Sequence, residues 1–418
     1  MSRVYDVAIV GARCAGASTA MLLARKGYKV LLVDRARFPS DIGQGHYIHM
    51  AGPRLLKQWG LLDRIVATGC PPVTSHTYDT GEVVVSGHDL IANGVAAGYA
   101  PRRSVLDALL VEAAVAAGAE FRDSFGVDSF IIERGRVAGL RGRDMKSGAN
   151  IAERAFLTIG ADGRNSGLAR AVNAQMYDAA ATLNAWFYSY WSGVPVSGLE
   201  IYTRSDQAII AHPTNDRLTL VGVSWPVAEQ HAVQAAMALR FMQATERVPH
   251  LADRLRAGKR EERFYGATNL PNFLRKPFGQ GWALVGDAGC HKDPYMGLGC
   301  GDAFRDASFL ADSIELGFTG PIPLEIALAD YEARRNAATQ VQYKLNLSLA
   351  AFEPRPAKER QLMAAITGNQ EDMNLFFRAR EGMIPPESFF NPENVVRLIG
   401  AGGSRTNSAP VSKRACLQ

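Results

Sequence analysis

One short loop constrains the fold more than any other feature. Gly11-Ala-Arg-Cys-Ala-Gly16 lies between an apolar run at 4–10 (VYDVAIV) and a stretch of small and apolar residues at helical spacing, 15–26. A second apolar run follows at 29–33. The succession predicts strand, helix, strand. Parallel strands need such a crossover, so the chain opens an α/β domain. Gly11 permits a tight turn and Gly16 a close approach at the helix start, where Cys14 and Ala15 present backbone amides. Those amides and the helix dipole attract phosphate. Arg13 stands where the dinucleotide fingerprint has its middle glycine, a departure from the pattern. Asp34 ends the second run, with Arg35 beside it, at the distance where a carboxylate accepts hydrogen bonds from adenosine ribose hydroxyls.

With 418 residues and 47% hydrophobic composition, two domains are expected. The formal charge is +5, and the basic residues come in scattered pairs such as Arg102 with Arg103 and Arg334 with Arg335. Nucleic-acid binding is therefore not expected, because it calls for a concentrated basic face. The five cysteines form no CxxC pair and no zinc spacing, which predicts a reduced, cytoplasmic protein without a metal site. The first apolar run is too short for a membrane span.

Further along, 103–117 reads as an amphipathic helix with Leu106, Leu109, Leu110, Ala113 and Ala114 on one stripe. Strands at 121–140, turning near Gly135, and at 149–159 return to the first sheet. From 176 to 264 the pattern becomes long alternating strands and a helix at 227–245. A strand at 282–285 precedes GDAG, and helices follow at 299–318 and 324–351. The expected organisation is a discontinuous Rossmann-type α/β domain (1–175 and 266–350) around a β-sheet substrate domain (176–265). A C-terminal helical region (351–399) and a disordered tail (400–418), rich in Gly, Ser and Asn, complete it.

Two later segments repeat the opening theme. Ile159-Gly-Ala-Asp162-Gly163 and Leu284-Val-Gly286-Asp287-Ala288-Gly289 each follow an apolar strand and carry an acidic residue beside glycine. The second continues as GDAGCHKDPYMGLGCGDAFRDA, 286–307. With these three motifs in order, residues 4 to about 345 resemble the FAD-dependent aromatic hydroxylase superfamily, the group A flavoprotein monooxygenases of p-hydroxybenzoate hydroxylase-like fold. The resemblance implies a GR2-like FAD-binding domain. It implies that Asp287, after Gly286, binds the ribityl chain, and that the helix starting near Gly299 points its amides at the flavin pyrimidine ring. Reduced flavin gathers negative charge at N1 and O2, which a helix N-terminus stabilises. By the same resemblance Pro294 and Gly297 would shape the wall beside the ring, Arg103 matches the family's flavin-contacting arginine, and Asp162 would serve both FAD and reductant binding. No second glycine fingerprint follows a strand, so NAD(P)H is expected to dock transiently.

On the substrate side, strand periodicity in WFYSYW puts Trp186, Tyr188 and Tyr190 on one face and Phe187, Ser189 and Trp191 on the other. One face is expected to pack on helices and the other to roof a cavity above the flavin, with Tyr202, His212 and Trp225 as candidates to join it. His46 and His49, in the loop after the second strand, are candidate bases, as is His291. The candidate catalytic set is His46, His49, Tyr190 and His212. The activity expected from the resemblance is an NAD(P)H-dependent monooxygenase that inserts one O2-derived oxygen into an aromatic or polycyclic small molecule through a flavin hydroperoxide. The alternative is an FAD-dependent reductase or dehydrogenase acting on a carbon-carbon double bond, as in the geranylgeranyl reductase-like branch. The halogenase relatives carry a WxWxIP motif and a lysine by the flavin. Here the nearest string, Tyr190 to Pro195, lacks that spacing, and no lysine lies between Phe38 and Arg54. A non-catalytic dinucleotide-binding regulator is the remaining class.

Overall fold

In the computed structural model, which describes residues 4–41, 43, 45–49 and 51–406, the opening segment forms a parallel crossover. Strand β1 (Val4–Val10), helix α1 (Cys14–Arg25) and strand β2 (Val30–Val33) build it, with Val10 opposite Val33. The short strand β3 (Ile48–His49) and helix α2 (Ala51–Gln58) follow, then a hairpin of β4 (His76–Asp79) and β5 (Val84–Gly87). Helix α3 (Arg103–Ala116) precedes β6 (Glu120–Arg122), β7 (Phe125–Glu133), β8 (Arg136–Asp144) and β9 (Asn150–Gly160). The first sheet has the order β6-β2-β1-β9-β8-β7. Its left part is parallel, and β7 and β8 form an antiparallel flap.

The second sheet is formed by β10 (Asn184–Ser192), β11 (Leu199–Thr203), β12 (Ala208–Pro213) and β13 (Thr219–Pro226). Its strand order is β10-β13-β12-β11-β4-β5, so residues 76–87, placed by sequence in the first domain, are strands of the second. Strand periodicity within a segment carries no information on which sheet edge that segment joins. The helix expected at 227–245 breaks at Ala236 (φ −135°, ψ 44°) before α4 (Met237–Glu246), and α5 (Pro249–Ala257) adds a turn-starting proline. The chain then returns to the first sheet through β14 (Trp282–Leu284), parallel to β9, and enters α6 (Gly299–Thr319) and α7 (Leu324–Ala350).

Helix α8 (Gln370–Arg380) is capped by Asn369, whose side chain accepts from the amides of Glu371 and Asp372. Helix α9 (Pro392–Thr406) is anchored by buried Leu398 and runs seven residues into the segment expected to be disordered from 400. An anchored helix gains one hydrogen bond per residue added, which carries it past its composition. Residues 407–418 of that expectation lie outside the described residues. Among the described residues no helix is long and apolar enough to cross a membrane.

The three largest apolar clusters among the described residues hold these layers. The largest joins Val7, Ile9 and Leu32 of the sheet to Ala17, Ala20 and Met21 of α1, Leu106 and Leu110 of α3, and Phe304 of α6. A second packs the inner face of the second sheet on α4 and α5 through Phe187, Trp191, Trp225, Phe241 and Leu251. The third sets Phe376 and Phe377 of α8 against Tyr78 and Val85 of the hairpin. Buried Arg335 of α7 ties the layers together, donating to the carbonyls of Arg275 (3.0 Å) and Gly289 (3.3 Å) and to the Tyr177 hydroxyl (2.7 Å). Arg335→Met strands those buried acceptors and is expected to destabilise the fold by about 3 kcal/mol. A lower urea midpoint at unchanged slope measures it.

Candidate active site

The three motif segments meet at the C-terminal edge of the parallel strands. Gly11 N donates to Val33 O (2.8 Å), Ala161 N to Val10 O (2.8 Å) and Val285 N to Gly160 O (3.0 Å), so the chain leaves β1, β9 and β14 side by side. This is where open α/β sheets bind ligands. A Cβ on Gly11 (φ +101°) would overlap the Ala161 carbonyl, and one on Gly16 would overlap the Gly11 carbonyl. At Gly286 (φ +63°) it would lie 2.7 Å from the Ala15 side chain. Arg13 has extended backbone (φ −91°, ψ −165°), which needs no glycine, and gives α1 no side-chain cap. The first-turn amides at Cys14 and Ala15 are thus available to an anion.

The Arg13 guanidinium turns away to Asp107 (2.8 Å), the Ser40 carbonyl (3.0 Å) and the face of Phe38. Asp107 is fully buried on α3 and also pairs with Arg103 at 3.0 Å, while the Cys14 thiol reaches it at 3.6 Å. Sequence reading missed Asp107. The signal was an acid four residues after Arg103, on a stripe otherwise apolar. Hydrogen bonding with Cys300 and burial push the Cys14 thiol well up, so it stays protonated. Asp34 accepts from the Ala12 amide through Oδ2 and the Ala36 amide through Oδ1, both at 2.8 Å, and Arg35 beside it is exposed.

Asp162 Oδ2 accepts from the Gly167 amide (2.7 Å), while Oδ1 is buried without a partner. Burial raises this carboxyl despite its hydrogen bonds. Half-buried Asp287 follows Gly286. Pro294 is exposed, Gly297 is left-handed (φ +67°), and a Cβ on Gly299 would stand in open space. Leu298 puts no side-chain cap on α6, so a second bare helix start faces the same region. Two uncapped helix starts, glycines too crowded for side chains and the orphaned Asp162 oxygen suit a ligand with phosphates at one end and a polar ring at the other. FAD has that form.

The second sheet presents its aromatic strand as alternation predicts, with a correction. Trp225, Val223 and Ile209 pair across strands with Ala185, Phe187 and each other, and Tyr202 pairs with Ile209. Cross-strand partners share a face. Tyr202 and Trp225 therefore lie on the helix side with Phe187 and Trp191, and not above the flavin region. Tyr202 there donates to Glu200 (2.6 Å). His291 also falls elsewhere, bonded to the Pro271 carbonyl in a small separate sheet.

The opposite face gathers the rest. Trp186 Nε1 donates to Asp293 (3.1 Å), which joins β10 to the loop before α6. His46 is fully buried, with Nδ1 3.1 Å from the Ala100 carbonyl and Nε2 2.8 Å from the Tyr190 hydroxyl. A carbonyl only accepts, so Nδ1 carries the proton and Tyr190 donates to Nε2. Burial, then His212, Arg102 and Arg103, push His46 well down and keep it neutral. Arg102 covers the Tyr190 ring at 3.8 Å. His212 stands edge-on to His46, at 5.5 Å between centroids, and burial pushes it down to about 4. His49 bonds Glu381 through Nδ1 (2.8 Å), and its Nε2 is 3.1 Å from where a Gly297 Cβ would be. Tyr47 links His49 to His212, with ring centroids 4.6 and 5.5 Å away. His46, His49, Tyr190 and His212 are thus brought into one cluster. Sequence reading missed Tyr47, His76 and Glu381. Among the described residues no three His, Cys, Asp or Glu side chains are placed to hold a metal.

Residues 4–343 match the FAD binding domain family. The chain is 26% identical over 312 residues, 72% of its length and 74% of the other's, to a digeranylgeranylglycerophospholipid reductase of Methanocella arvoryzae. Its fold is similar to that of the myxobacterial chondrochloren halogenase CndH, with a TM-score of 0.77, 18% identity and coverage of 96% of this chain and 97% of that one. It is also similar to Pseudomonas aeruginosa PqsL in complex with 2-aminobenzoylacetate, with a TM-score of 0.71, 22% identity and coverage of 83% and 96%. The fold expected from the three motifs is the fold of these two solved structures, and at their identities the likeness speaks to fold alone.

The buried histidines make stability depend on pH. An unfolded His212 takes a proton below about 6.5, the folded one only below about 4. Between those values the unfolded state holds more protons, so stability falls as the pH is lowered and is fully present above the window. His212→Gln is expected to flatten that slope, by at most about 3 kcal/mol across the window. Chemical denaturation at stepped pH measures it.

Proposed function

Because the chain belongs to the FAD binding domain family, we propose that it is an FAD-dependent monooxygenase placing one oxygen atom of O2 on an aromatic or polycyclic small molecule, with NAD(P)H as reductant. The observation that carries this reading is the face of the second sheet opposite the helices. Trp186, Tyr190, His46, His49, Tyr47 and His212 line it with flat rings and hydrogen-bonding atoms, directly against the loop from Asp293 to Gly297. Flat rings stack on flat substrates, and a phenol or carbonyl finds donors and acceptors there.

Bound FAD supplies the hydride acceptance and the oxygen chemistry. The amides at Cys14 and Ala15 would hold its pyrophosphate at the start of α1, past Gly11 and Gly16. The Asp34 oxygens keep lone pairs for ribose hydroxyls after bonding Ala12 and Ala36. Asp287 would take the ribityl chain, and the uncapped first turn of α6 at Gly299 would give its amides to the ring's anionic edge, with Pro294 and Gly297 beside it. Arg103, fixed by Asp107, would contact the flavin, and the Asp162 oxygen left without a partner would meet FAD or the reductant. Tyr190 spends its proton on His46, so its oxygen is left as an acceptor toward the aromatic face. Burial pushes the Tyr190 phenol up and keeps it in that role. The packed rings exclude water.

The second reading, reduction of a carbon-carbon double bond, is favoured by the reductase named among the relatives. A polyprenyl chain calls for a long aliphatic trough, and the polar aromatic face argues against it. The test is the purified flavoprotein under heavy-oxygen gas with NADPH or NADH and a panel of phenolic and polycyclic compounds. Label in product is expected; a reduced or desaturated, unlabelled product supports the reductase, and absence of bound flavin sinks both.

A further inference from the structure

Glu381 belongs to neither sheet, yet its carboxylate reaches the centre of the molecule. It caps the C-terminal end of α8, and its side chain is 3% exposed. Oε2 accepts from His49 Nδ1 at 2.8 Å and Oε1 from His76 Nδ1 at 3.3 Å. A carboxylate only accepts, so both imidazoles carry a proton on Nδ1. His76 Nε2 then accepts from the Tyr47 hydroxyl at 2.9 Å. Burial alone would raise the Glu381 carboxyl, but the two imidazoles beside it, His49 and His76, outweigh burial and hold it well below the usual carboxylate range. The other titratable groups packed around His49 are Tyr47, pushed up by burial, and His212, pushed down by it. Arg380, the neighbour of Glu381, points away onto the Tyr78 ring.

This arrangement separates the four candidate proton carriers. His46 has both ring nitrogens engaged, Nδ1 with a carbonyl and Nε2 with Tyr190. His212 Nδ1 stands 3.2 Å from the Pro213 carbonyl, and burial opposes its protonation. Only His49 combines a charged partner on Nδ1 with an Nε2 turned to the Gly297 wall. A buried carboxylate behind an imidazole fixes its tautomer and stabilises the imidazolium once it forms.

We propose that His49 takes the proton of a phenolic substrate at the flavin wall, and that Glu381, from the C-terminal helices, is its positioning residue. The proposal rests on the monooxygenase reading above. The substrate O–H bond breaks, its proton moves to His49 Nε2, and its electron pair stays on oxygen, making the ring electron-rich. The imidazolium is neutralised by Glu381, and the proton passes to water when product leaves. His76 and Tyr47 hold the second Glu381 oxygen so that the carboxylate does not swing.

The test titrates flavin-loaded protein with para-nitrophenol, whose phenolate colour reports its own ionisation when bound. Wild type is expected to bind it as phenolate at a pH where the free probe is still largely phenol. Glu381→Gln is expected to shift the bound probe's ionisation to higher pH by about tenfold in proton concentration, and Glu381→Asp to recover part of it. Flavin content stays at the wild-type level in both. His49→Gln, which leaves His76 bonded to Glu381, gives the same shift and serves if Glu381→Gln does not fold. Unchanged ionisation in flavin-loaded variants, or a wild type that fails to bind or ionise the probe, overturns the proposal. Heavy-oxygen labelling is scored separately: label with unchanged ionisation rejects this inference alone, and no label with the predicted shift rejects the monooxygenase reading instead.

Discussion

At the C-terminal edge of the first sheet, three peptide segments run closer together than side chains allow. Gly11 lies against the Ala161 carbonyl, Gly16 against Gly11, and Gly286 against Ala15. Much else follows from that crowding. It sets α1 directly behind the turn, brings the DG and GD loops beside it, and leaves the starts of α1 and α6 without side-chain caps. Bare amides at two helix starts concentrate partial positive charge in a region with little room for anything but a ligand.

The buried charges around this edge have a division of labour. Asp107 gathers Arg13, Arg103 and the Cys14 thiol under the site, so the basic residues nearest the turn are already oriented. On the aromatic face of the second sheet, neutral His46 locks Tyr190, and Glu381 locks His49 and His76. The C-terminal helices thereby take part in the site, pinned by Phe376 and Phe377 against the β4–β5 hairpin. Such buried polar networks fix one geometry because a partner lost leaves an unsatisfied group behind.

The local physics of the fold was readable from sequence. Period and glycine placement located β1, α1, β2, α3 and α6 within a residue or two, since these depend on spacing within the segment itself. What depends on pairing between distant segments was hidden. The hairpin at 76–87 joins the second sheet through β11, and only that register decides it. Tyr202 and Trp225 fell on the helix side for the same reason. Glu381 is 332 residues from its partner His49, so no spacing rule connects them. Arg13 showed the reverse: a missing glycine in the fingerprint proved compatible, because the backbone there is extended. The halogenase and PqsL structures share this scaffold, and on a shared scaffold function is set by the site and not by the fold.

The account therefore turns on where the flavin ring sits. The most direct measurement is a crystal structure of the protein saturated with FAD. The account predicts pyrophosphate on the amides of Cys14 and Ala15, and the ring between the Gly297–Gly299 turn and the His46, His49 and Tyr190 face. A ring turned out to solvent, or lodged away from that face, would contradict it.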